Sequence, residues 1–276
     1  MSISTVIARP ASTPWLAGVK PNVRAKLRLF CFPYAGGGAT IFRTWQSELS
    51  QEVEVCPVQL PGRGRRLKEA TYTDIHTLIH DLAHGLFPFL NKPFAFFGHS
   101  MGATISFELT RYLSREHHLM PRQLFVSGRR APHMPATHAP TWNLPDAEFL
   151  VALRDLKGTP HEALEHPELM ELLLPLLRAD FELSETYTYS NGPLLNCPIS
   201  IYGGEEDDDV TREHLEAWGE LTTGRISLKM FPGDHFFLNT AQSALLRTLS
   251  QELKHLAQNS VESTTVSPFK RTKRCY

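Results

Sequence analysis

The sequence predicts an α/β fold in which a mostly parallel β-sheet carries helices on both of its faces. Short apolar runs alternate with longer stretches of helical character, and this alternation is typical of β-α-β units. One run, Phe94-Ala95-Phe96-Phe97, is entirely apolar, as expected of a strand buried on both faces of a parallel sheet. Hydrophobic residues make up 42% of the 276 residues, which is enough to bury a sizeable core and too much for a disordered chain.

Six strands are predicted, each ending at turn-forming or polar residues. They are Leu27–Phe32, Val53–Val58, Phe94–Phe97, Leu124–Ser127, Ile199–Tyr202 and Ile226–Met230. The residues between them favour helices, for example from Ile75 to Leu86 and from Ala103 to Leu113. Right-handed crossovers between parallel strands would place such helices on both faces of the sheet.

The limits of this alternation predict how the chain is organised. We expect an N-terminal extension (1–24), one α/β domain (25–257) and a disordered, basic C-terminal tail (258–276).

An insertion over about 129–193 interrupts the alternation of strands and helices. It lacks a convincing strand and contains two apolar helical candidates, Ala147 to Leu156 and Pro167 to Thr186. Pro175 should kink the second helix, because proline lacks a backbone donor and crowds the preceding turn. Such an insertion is expected to lie over one edge of the sheet as a helical lid.

Charge and targeting signals exclude several classes of protein. The 28 Lys and Arg residues almost balance 29 Asp and Glu residues, so nucleic acid is not an expected partner. Prolines at Pro10 and Pro14 interrupt the N-terminal region, which lacks the apolar stretch of a signal peptide. No apolar run approaches the roughly 18 residues that span a bilayer. We therefore expect a cytoplasmic protein that does not associate with a membrane.

The cysteines and histidines give no sign of a metal site. The four cysteines are scattered without a Cys-x-x-Cys pair, and three of them, Cys31, Cys56 and Cys197, are expected to be buried thiols in a reducing compartment. His161 and His166 are five residues apart, whereas a helix presents two histidines to one metal at a spacing of four. No metal and no cofactor are expected.

The stretch Gly98-His99-Ser100-Met101-Gly102 is the clearest indication of chemistry. It follows the apolar strand directly and precedes a helical candidate, which is the setting of a nucleophile elbow. On such a turn the serine takes a strained backbone conformation, and the flanking glycines leave room for it. We therefore interpret Ser100 as a nucleophile rather than as an ordinary turn serine.

A serine nucleophile needs a base, and the base needs an acid to orient it. After an elbow serine, the acid comes next along the chain and the histidine comes last. His235 follows the last predicted strand, and this position selects it among 13 histidines. An acidic loop after the fifth strand offers the carboxylate. Asp207 is favoured because it stands where the chain leaves the strand, with Asp208 and Asp209 as alternatives.

The loop after the first strand has the sequence Phe32-Pro33-Tyr34-Ala35-Gly36-Gly37-Gly38. In hydrolases with an elbow serine, this loop offers a backbone N–H to an oxyanion, and the residue after the nucleophile, here Met101, offers a second. The loop lacks both the Gly-Lys-Ser/Thr ending and the Gly-x-Gly-x-x-Gly pattern of phosphate-binding loops. Nucleotide binding is therefore not expected.

A basic stretch after Pro61-Gly62 contains four positive side chains, Arg63, Arg65, Arg66 and Lys68. It could contact a phosphate or an acidic partner, and a solvated loop is an equally good interpretation.

Taken together, the motifs resemble those of type II thioesterases, the stand-alone editing hydrolases of nonribosomal peptide and polyketide synthesis, which are similar to the medium-chain thioesterase of fatty acid synthase. The resemblance covers roughly Leu27 to Leu256. One departure is Tyr34, where the family commonly has histidine. The motifs, in chain order, are Phe32-Pro33-Tyr34-Ala35-Gly36-Gly37, Leu60-Pro61-Gly62-Arg63-Gly64-Arg65-Arg66, Gly98-His99-Ser100-Met101-Gly102-Ala103, Ser127-Gly128-Arg129, Leu176-Leu177-Arg178-Ala179-Asp180-Phe181, Tyr202-Gly203-Gly204 and Gly233-Asp234-His235-Phe236-Phe237.

The resemblance implies an α/β-hydrolase fold with a helical lid and a Ser100–Asp207–His235 triad. It also implies an oxyanion hole formed by the N–H groups of Ala35 and Met101, and a substrate that is an acyl or aminoacyl thioester on the 4′-phosphopantetheine arm of a carrier protein. Three alternatives remain: a general carboxylesterase or lipase, a cyclising or acyl-transferring relative, and a non-catalytic module that binds carrier proteins.

Overall fold

The computed structural model describes residues 12–19, 22–156, 158 and 166–259. Within these residues, six strands form one parallel sheet. The strands are β1 (Leu27–Phe32), β2 (Val53–Pro57), β3 (Phe94–His99), β4 (Leu124–Ser127), β5 (Ile199–Gly204) and β6 (Ile226–Phe231). Their order across the sheet is β2-β1-β3-β4-β5-β6. The predicted α/β class is confirmed, and each predicted run is a strand whose ends shift by no more than a few residues.

The sequence of β1 shows why the sheet lies in the interior of the domain. Leu29 and Cys31 pack into the core on one face, whereas Phe30 and Phe32 pack into the core on the other. Because both faces are covered, every residue of β1 is buried. At the far edge of the sheet, β6 has a neighbour on one side only, and Ile226 at its start is half exposed.

Helices cover both faces of the sheet. Residues of α2 and α3 contribute to one core cluster, and residues of α1 and α8 contribute to the other. The Asp74 side chain caps α2 by accepting a 2.8 Å hydrogen bond from the Thr77 N–H, which satisfies a backbone donor of the first turn. The described α-helices are α1 (Trp45–Glu48), α2 (Ile75–Leu86), α3 (Met101–His117), α4 (Asp146–Asp155), α5 (Pro167–Glu185), α6 (Arg212–Glu216), α7 (Phe237–Thr240) and α8 (Gln242–Asn259).

The lid consists of α4 and α5, which share a small hydrophobic cluster of their own. Arg178 of α5 joins the two helices, since its Nη1 donates to the Trp142 carbonyl at 2.6 Å and its Nη2 lies 2.5 Å from Asp146 Oδ1. The predicted helices correspond to α4 and α5 within about a residue, and Pro175 lies inside α5. The segment that contains His161 lies outside the described residues.

Part of the expected N-terminal extension packs onto the domain. Trp15 is buried, and its carbonyl accepts a 2.8 Å hydrogen bond from the Gln59 N–H. A Cβ atom on Gly85 of α2 would lie 1.9 Å from the indole, so only glycine admits this contact. The Arg66 guanidinium lies 4.3 Å from the centre of the same ring. At the other end of the chain, α8 continues to Asn259, so the first two residues of the predicted disordered tail (258–276) are helical, and the rest of it lies outside the described residues.

The three cysteines that precede the tail, Cys31, Cys56 and Cys197, are buried free thiols, as predicted. Burial raises the pKa of each thiol, so these side chains act as small apolar residues.

Candidate active site

Ser100 stands on a tight turn between β3 and α3. Its backbone has φ 53° and ψ −118°, and the described part of the chain contains only one other non-glycine residue, His118, with positive φ. Such a conformation is strained for an L-residue and persists only where the surroundings enforce it. The Ser100 N–H donates a 2.8 Å hydrogen bond to the Ser127 carbonyl at the end of β4, which helps to hold the turn.

The two glycines of the elbow are required by close backbone approaches. A Cβ on Gly98 would lie 2.1 Å from the Gly102 carbonyl oxygen, and a Cβ on Gly102 would lie 2.2 Å from the Phe32 carbonyl oxygen. Backbone atoms cannot move aside as a flexible side chain can. The Gly-x-Ser-x-Gly pattern therefore reflects a turn that no larger residue fits.

His235 and Asp207 come from two different loops and meet at the carboxyl edge of the sheet. The Nδ1 atom of His235 lies 2.8 Å from Oδ2 of Asp207, whose side chain is only 1% exposed. The other carboxylate oxygen, Oδ1, accepts hydrogen bonds of 3.1 Å from the N–H groups of Asp209 and Val210. These contacts orient the carboxylate, which meets the imidazole at Nδ1 rather than at Nε2.

The neighbouring acids make different contacts. Asp209 pairs with His138 at 2.9 Å, and Asp208 is exposed. Of the three aspartates that the sequence left open, Asp207 is the one that contacts His235.

His99 packs beside His235, with the two ring centres 5.3 Å apart. It is fully buried, and its Nδ1 lies 2.9 Å from the Ser127 Oγ. Burial, assisted by the nearby His235, holds the pKa of His99 well below its usual value, so this ring is neutral. Gly128 has φ 56°, and a Cβ there would lie 2.7 Å from the His99 ring.

The loop Tyr34–Gly38, called the β1 loop below, lies beside the serine. Ala35 lines the same cavity as Ser100, and the turn is closed by a 2.9 Å hydrogen bond from the Gly37 N–H to the Tyr34 carbonyl. Met101 is the first residue of α3, where backbone N–H groups have no intrahelical acceptor. Both predicted oxyanion donors thus belong to backbone next to the nucleophile.

A cavity of about 650 Å³ extends from these residues to the underside of the lid. Two members of the lid's hydrophobic cluster, Leu153 and Leu177, line the cavity, whereas Phe149 of the same cluster does not. Residues from the sheet edge and the lid share the lining, among them Tyr34, Ala35, Ser100, His235, Phe236, Leu153, Leu156, Leu177 and Phe181.

Two arginines in the cavity wall were not assigned a role from the sequence. Arg129 and Arg130 follow β4 directly and line the cavity. Burial and the charge of Arg130 lower the pKa of Arg129 to about 10, and its Nη2 donates to the Ser184 carbonyl at 3.2 Å. The stretch Ser127-Gly128-Arg129 was the only signal available for them.

The basic stretch after β2 is not simply a solvated loop. Arg63 and Arg66 are both buried, with exposures of 6% and 7%. Arg63 forms an ion pair with Asp180 of α5, while Arg66 pairs with Glu69 and covers Trp15. Both guanidinium groups donate hydrogen bonds to carboxylates and carbonyls of the same domain. For these two residues, the predictions of a solvated loop and of a contact with a phosphate or an acidic partner are therefore both wrong.

None of the helices that the structure describes combines the length and apolar character needed to cross a bilayer. Over the same residues, no group of three or more His, Cys, Asp and Glu side chains is arranged to hold a metal ion.

Comparisons with known proteins agree with this geometry. The thioesterase domain family matches residues 27–253. The chain is 48% identical over 243 residues to a Brevibacillus parabrevis protein named linear gramicidin dehydrogenase LgrE, covering 87% of this chain and 92% of that protein. Among solved structures, the thioesterase RedJ from the prodiginine pathway of Streptomyces coelicolor superposes with a TM-score of 0.79 at 39% identity, covering 91% of this chain and 94% of RedJ. BorB, a type II thioesterase from the borrelidin biosynthetic cluster, gives a TM-score of 0.79 at 34% identity, with coverage of 88% and 98%.

Proposed function

The chain belongs to the thioesterase domain family and is a thioester hydrolase, and from this premise we propose that Ser100, His235 and Asp207 are its catalytic triad. The observation that supports the proposal most strongly is the 2.8 Å contact between His235 Nδ1 and the buried Asp207 carboxylate. The pair stands in the wall of the same cavity as a strained elbow serine. Acyl transfer needs a nucleophile, a base and an orienting acid, and the presence of all three residue types around one cavity supports the proposal.

In the first half of the reaction, Nε2 of His235 takes the Ser100 hydroxyl proton while Oγ attacks the thioester carbonyl. The N–H groups of Ala35 and Met101 stabilise the oxyanion of the tetrahedral intermediate. Collapse breaks the C–S bond, and the imidazolium gives its proton to the departing thiolate. Asp207 keeps the imidazole in the required tautomer and stabilises its charged form.

In the second half, His235 takes a proton from water, and the resulting hydroxide attacks the acyl-serine ester. The intermediate collapses to a free carboxylic acid and returns the proton to Ser100 Oγ. A neutral His99 beside the base favours this cycle, because a second cation there would oppose formation of the His235 imidazolium.

The substrate is proposed to be an acyl or aminoacyl group on the phosphopantetheine arm of a carrier protein, in a nonribosomal peptide or polyketide pathway. The relatives named for gramicidin, prodiginine and borrelidin biosynthesis support this class. A cavity of about 650 Å³ under the lid would hold the acyl group. Removing misprimed or stalled acyl groups frees the carrier thiol, which is the editing role. The buried free thiols support a reducing, cytoplasmic setting.

The word dehydrogenase in the name of the B. parabrevis relative suggests a second activity to be tested. Dehydrogenases that use a dinucleotide bind it with a Gly-x-Gly-x-x-Gly turn after a strand. Gly36-Gly37-Gly38 follows β1 but continues as Ala39-Thr40-Ile41, without the third glycine. The site supports acyl transfer rather than hydride transfer.

The deciding experiment follows hydrolysis of acetyl- and longer acyl-phosphopantetheinyl carrier protein, with acyl-CoA and p-nitrophenyl esters in parallel. Wild type is compared with Ser100→Ala and with the matched control Ser106→Ala, which removes another buried serine hydroxyl from the neighbouring helix α3. We expect free acid from carrier thioesters with wild type and with Ser106→Ala, and none with Ser100→Ala.

Other outcomes would identify the alternatives. Rapid ester cleavage without carrier hydrolysis would indicate a general esterase, and a lactone or transferred acyl product would indicate a cyclase or acyltransferase. Carrier binding without hydrolysis by wild type would indicate a non-catalytic module, and turnover that survives Ser100→Ala would contradict the proposed nucleophile. A change in NADH or NADPH absorbance that depends on the protein would restore the dehydrogenase hypothesis.

A further inference from the structure

A buried ion pair joins the lid to the β1 loop. Asp180 of α5 is 3% exposed, and its Oδ2 accepts 2.7 Å hydrogen bonds from the Gly36 N–H and from Nη1 of Arg63. Its Oδ1 accepts a third bond of 2.7 Å from Arg63 Nη2. Arg63 also donates to the Gly37 carbonyl at 2.9 Å and to the Pro61 carbonyl at 3.1 Å. Every one of these partners is either a charged group or a backbone group.

Hydrogen bonds hold three peptide planes of the β1 loop, two of them through the ion pair. The Ala35 N–H lies in the peptide plane that contains the Tyr34 carbonyl, and that carbonyl accepts from the Gly37 N–H at 2.9 Å. Asp180 holds the next plane through the Gly36 N–H, and Arg63 holds a later plane through the Gly37 carbonyl. Because backbone torsions link neighbouring planes, the direction of the Ala35 N–H depends on this ion pair.

The lid helix also packs directly on the loop. A Cβ atom on Gly36 would lie 2.5 Å from Cδ2 of Leu177, so the helix and the loop are in close contact. Leu177 and Asp180 are three residues apart and therefore lie on the same face of α5. One helix face thus supplies an apolar contact and a carboxylate to the same backbone turn.

Stability alone gives a poor reason for this arrangement. Removing two charges from water is costly, and buried ion pairs are often no more stabilising than apolar residues of similar volume. The Arg63–Asp180 pair also binds backbone groups of the β1 loop, so its role is better explained by the loop conformation that it maintains.

We propose that Asp180 and Arg63 are positioning residues for the thioesterase reaction, through which the lid helix holds the Ala35 N–H in the direction that the oxyanion needs. The inference rests on the proposed function, since it assigns the β1 loop to the oxyanion hole. The contact between α5 and the β1 loop then controls catalysis as well as access to the cavity. If the helix moves away from the loop, the Asp180 carboxylate moves with it.

The test replaces the pair by apolar residues of similar size in Arg63→Met/Asp180→Val, which leaves no charge unpaired. The matched control is Arg28→Met/Glu54→Leu, which removes a second buried ion pair of 2.5 Å. Arg28 lies in β1 opposite the first residue of β3, at the end of the sheet remote from Ser100. Melting temperature and circular dichroism establish that both double variants fold.

We expect only Arg63→Met/Asp180→Val to lose kcat, by about 10- to 100-fold, with KM little changed, because one oxyanion donor is misdirected. Affinity for an alkyl boronic acid, whose tetrahedral adduct on Ser100 mimics the oxyanion, should fall by a similar factor. Affinity for the carboxylic acid product, which has the ground-state geometry, should be retained.

Wild-type kcat and boronate affinity in Arg63→Met/Asp180→Val would overturn the proposal, and so would equal losses in the two double variants. If the first double variant does not fold, Asp180→Asn replaces it. This single substitution keeps the shape of the side chain but weakens the pair, so the same joint loss of kcat and boronate affinity is expected, and wild-type values would again contradict the proposal. Rates with p-nitrophenyl esters keep this test independent of the carrier substrate. Failure of the proposed function would appear in the wild-type protein. Failure of this inference would appear only when the variants are compared.

Discussion

The imidazole ring of His99 packs beside that of His235, with 5.3 Å between the ring centres. The two histidines have different surroundings, because His99 is fully buried beside Ser127 whereas His235 reaches the cavity. The protein therefore keeps one neutral imidazole next to the one that is proposed to carry a proton during turnover.

This arrangement predicts how the free energy of unfolding depends on pH. The folded-state pKa of His99 is depressed, so below about pH 6.5 the unfolded chain binds a proton that the native protein does not. The contribution of His99 to the free energy of unfolding should be fully present above that pH. Below it, this contribution should fall by about 1.4 kcal/mol per pH unit.

Urea unfolding at pH 7.5, 6.5 and 5.5 measures this dependence. In His99→Phe the part due to His99 should disappear, so the curve becomes shallower than that of wild type. The exposed His76→Gln serves as the control and should follow wild type. Equal slopes for wild type and His99→Phe would show that His99 does not contribute.

Asp207→Asn should lower kcat by about 10⁴-fold without unfolding the protein, because an amide favours the wrong imidazole tautomer. Asp208→Asn is the matched control, since that neighbouring side chain is exposed. Steady-state hydrolysis of an acyl thioester measures both. If Asp208→Asn were the more damaging change, the assignment of the acid would be wrong.

Gly98→Ala should prevent folding or yield an inactive protein, because the added Cβ would lie 2.1 Å from a backbone oxygen. In Gly192→Ala the added atom would meet only the Arg111 side chain, which can move. Yield of folded protein and thermal denaturation compare the two. A Gly98→Ala protein with wild-type stability would mean that the elbow is looser than its contacts indicate.

Gly36→Ala combines an unfavourable φ of +77° with a 2.5 Å approach to Leu177, so it should displace α5 and reduce kcat by about tenfold or more. Gly18→Ala is matched for backbone strain, with φ +69°, but nothing lies within 4 Å of the added atom. It should lose about 1–2 kcal/mol of stability and keep its kcat. Equal kcat values in the two variants would show that the contact with Leu177 is unimportant.

The sequence predicted the strands well because each carries a compact apolar run. It predicted the elbow because only glycine is small enough for the two positions that flank the tight turn. It did not predict the order of the strands across the sheet, since alternating strands and helices are compatible with several orders. Within the acidic loop, the sequence favoured Asp207 but could not decide among three adjacent carboxylates, because the choice depends on where His235 lies.

Arg63 illustrates a different limit. Its neighbours in sequence are charged, so a solvated or ligand-binding loop was a reasonable interpretation. Its partner Asp180 is 117 residues away and belongs to the lid. Pairing at that separation depends on how the insertion packs on the domain, which local composition does not reveal.

The packing of Trp15 bears on where this domain should be cut for expression. The family match begins at residue 27, yet Trp15 fills the space above Gly85 and is covered by Arg66. A fragment started at the match would leave an indole-sized gap over α2 and remove the ring beneath a buried guanidinium. Similarity between sequences marks the part that relatives share, whereas the packed domain includes a buried residue twelve positions before that part begins.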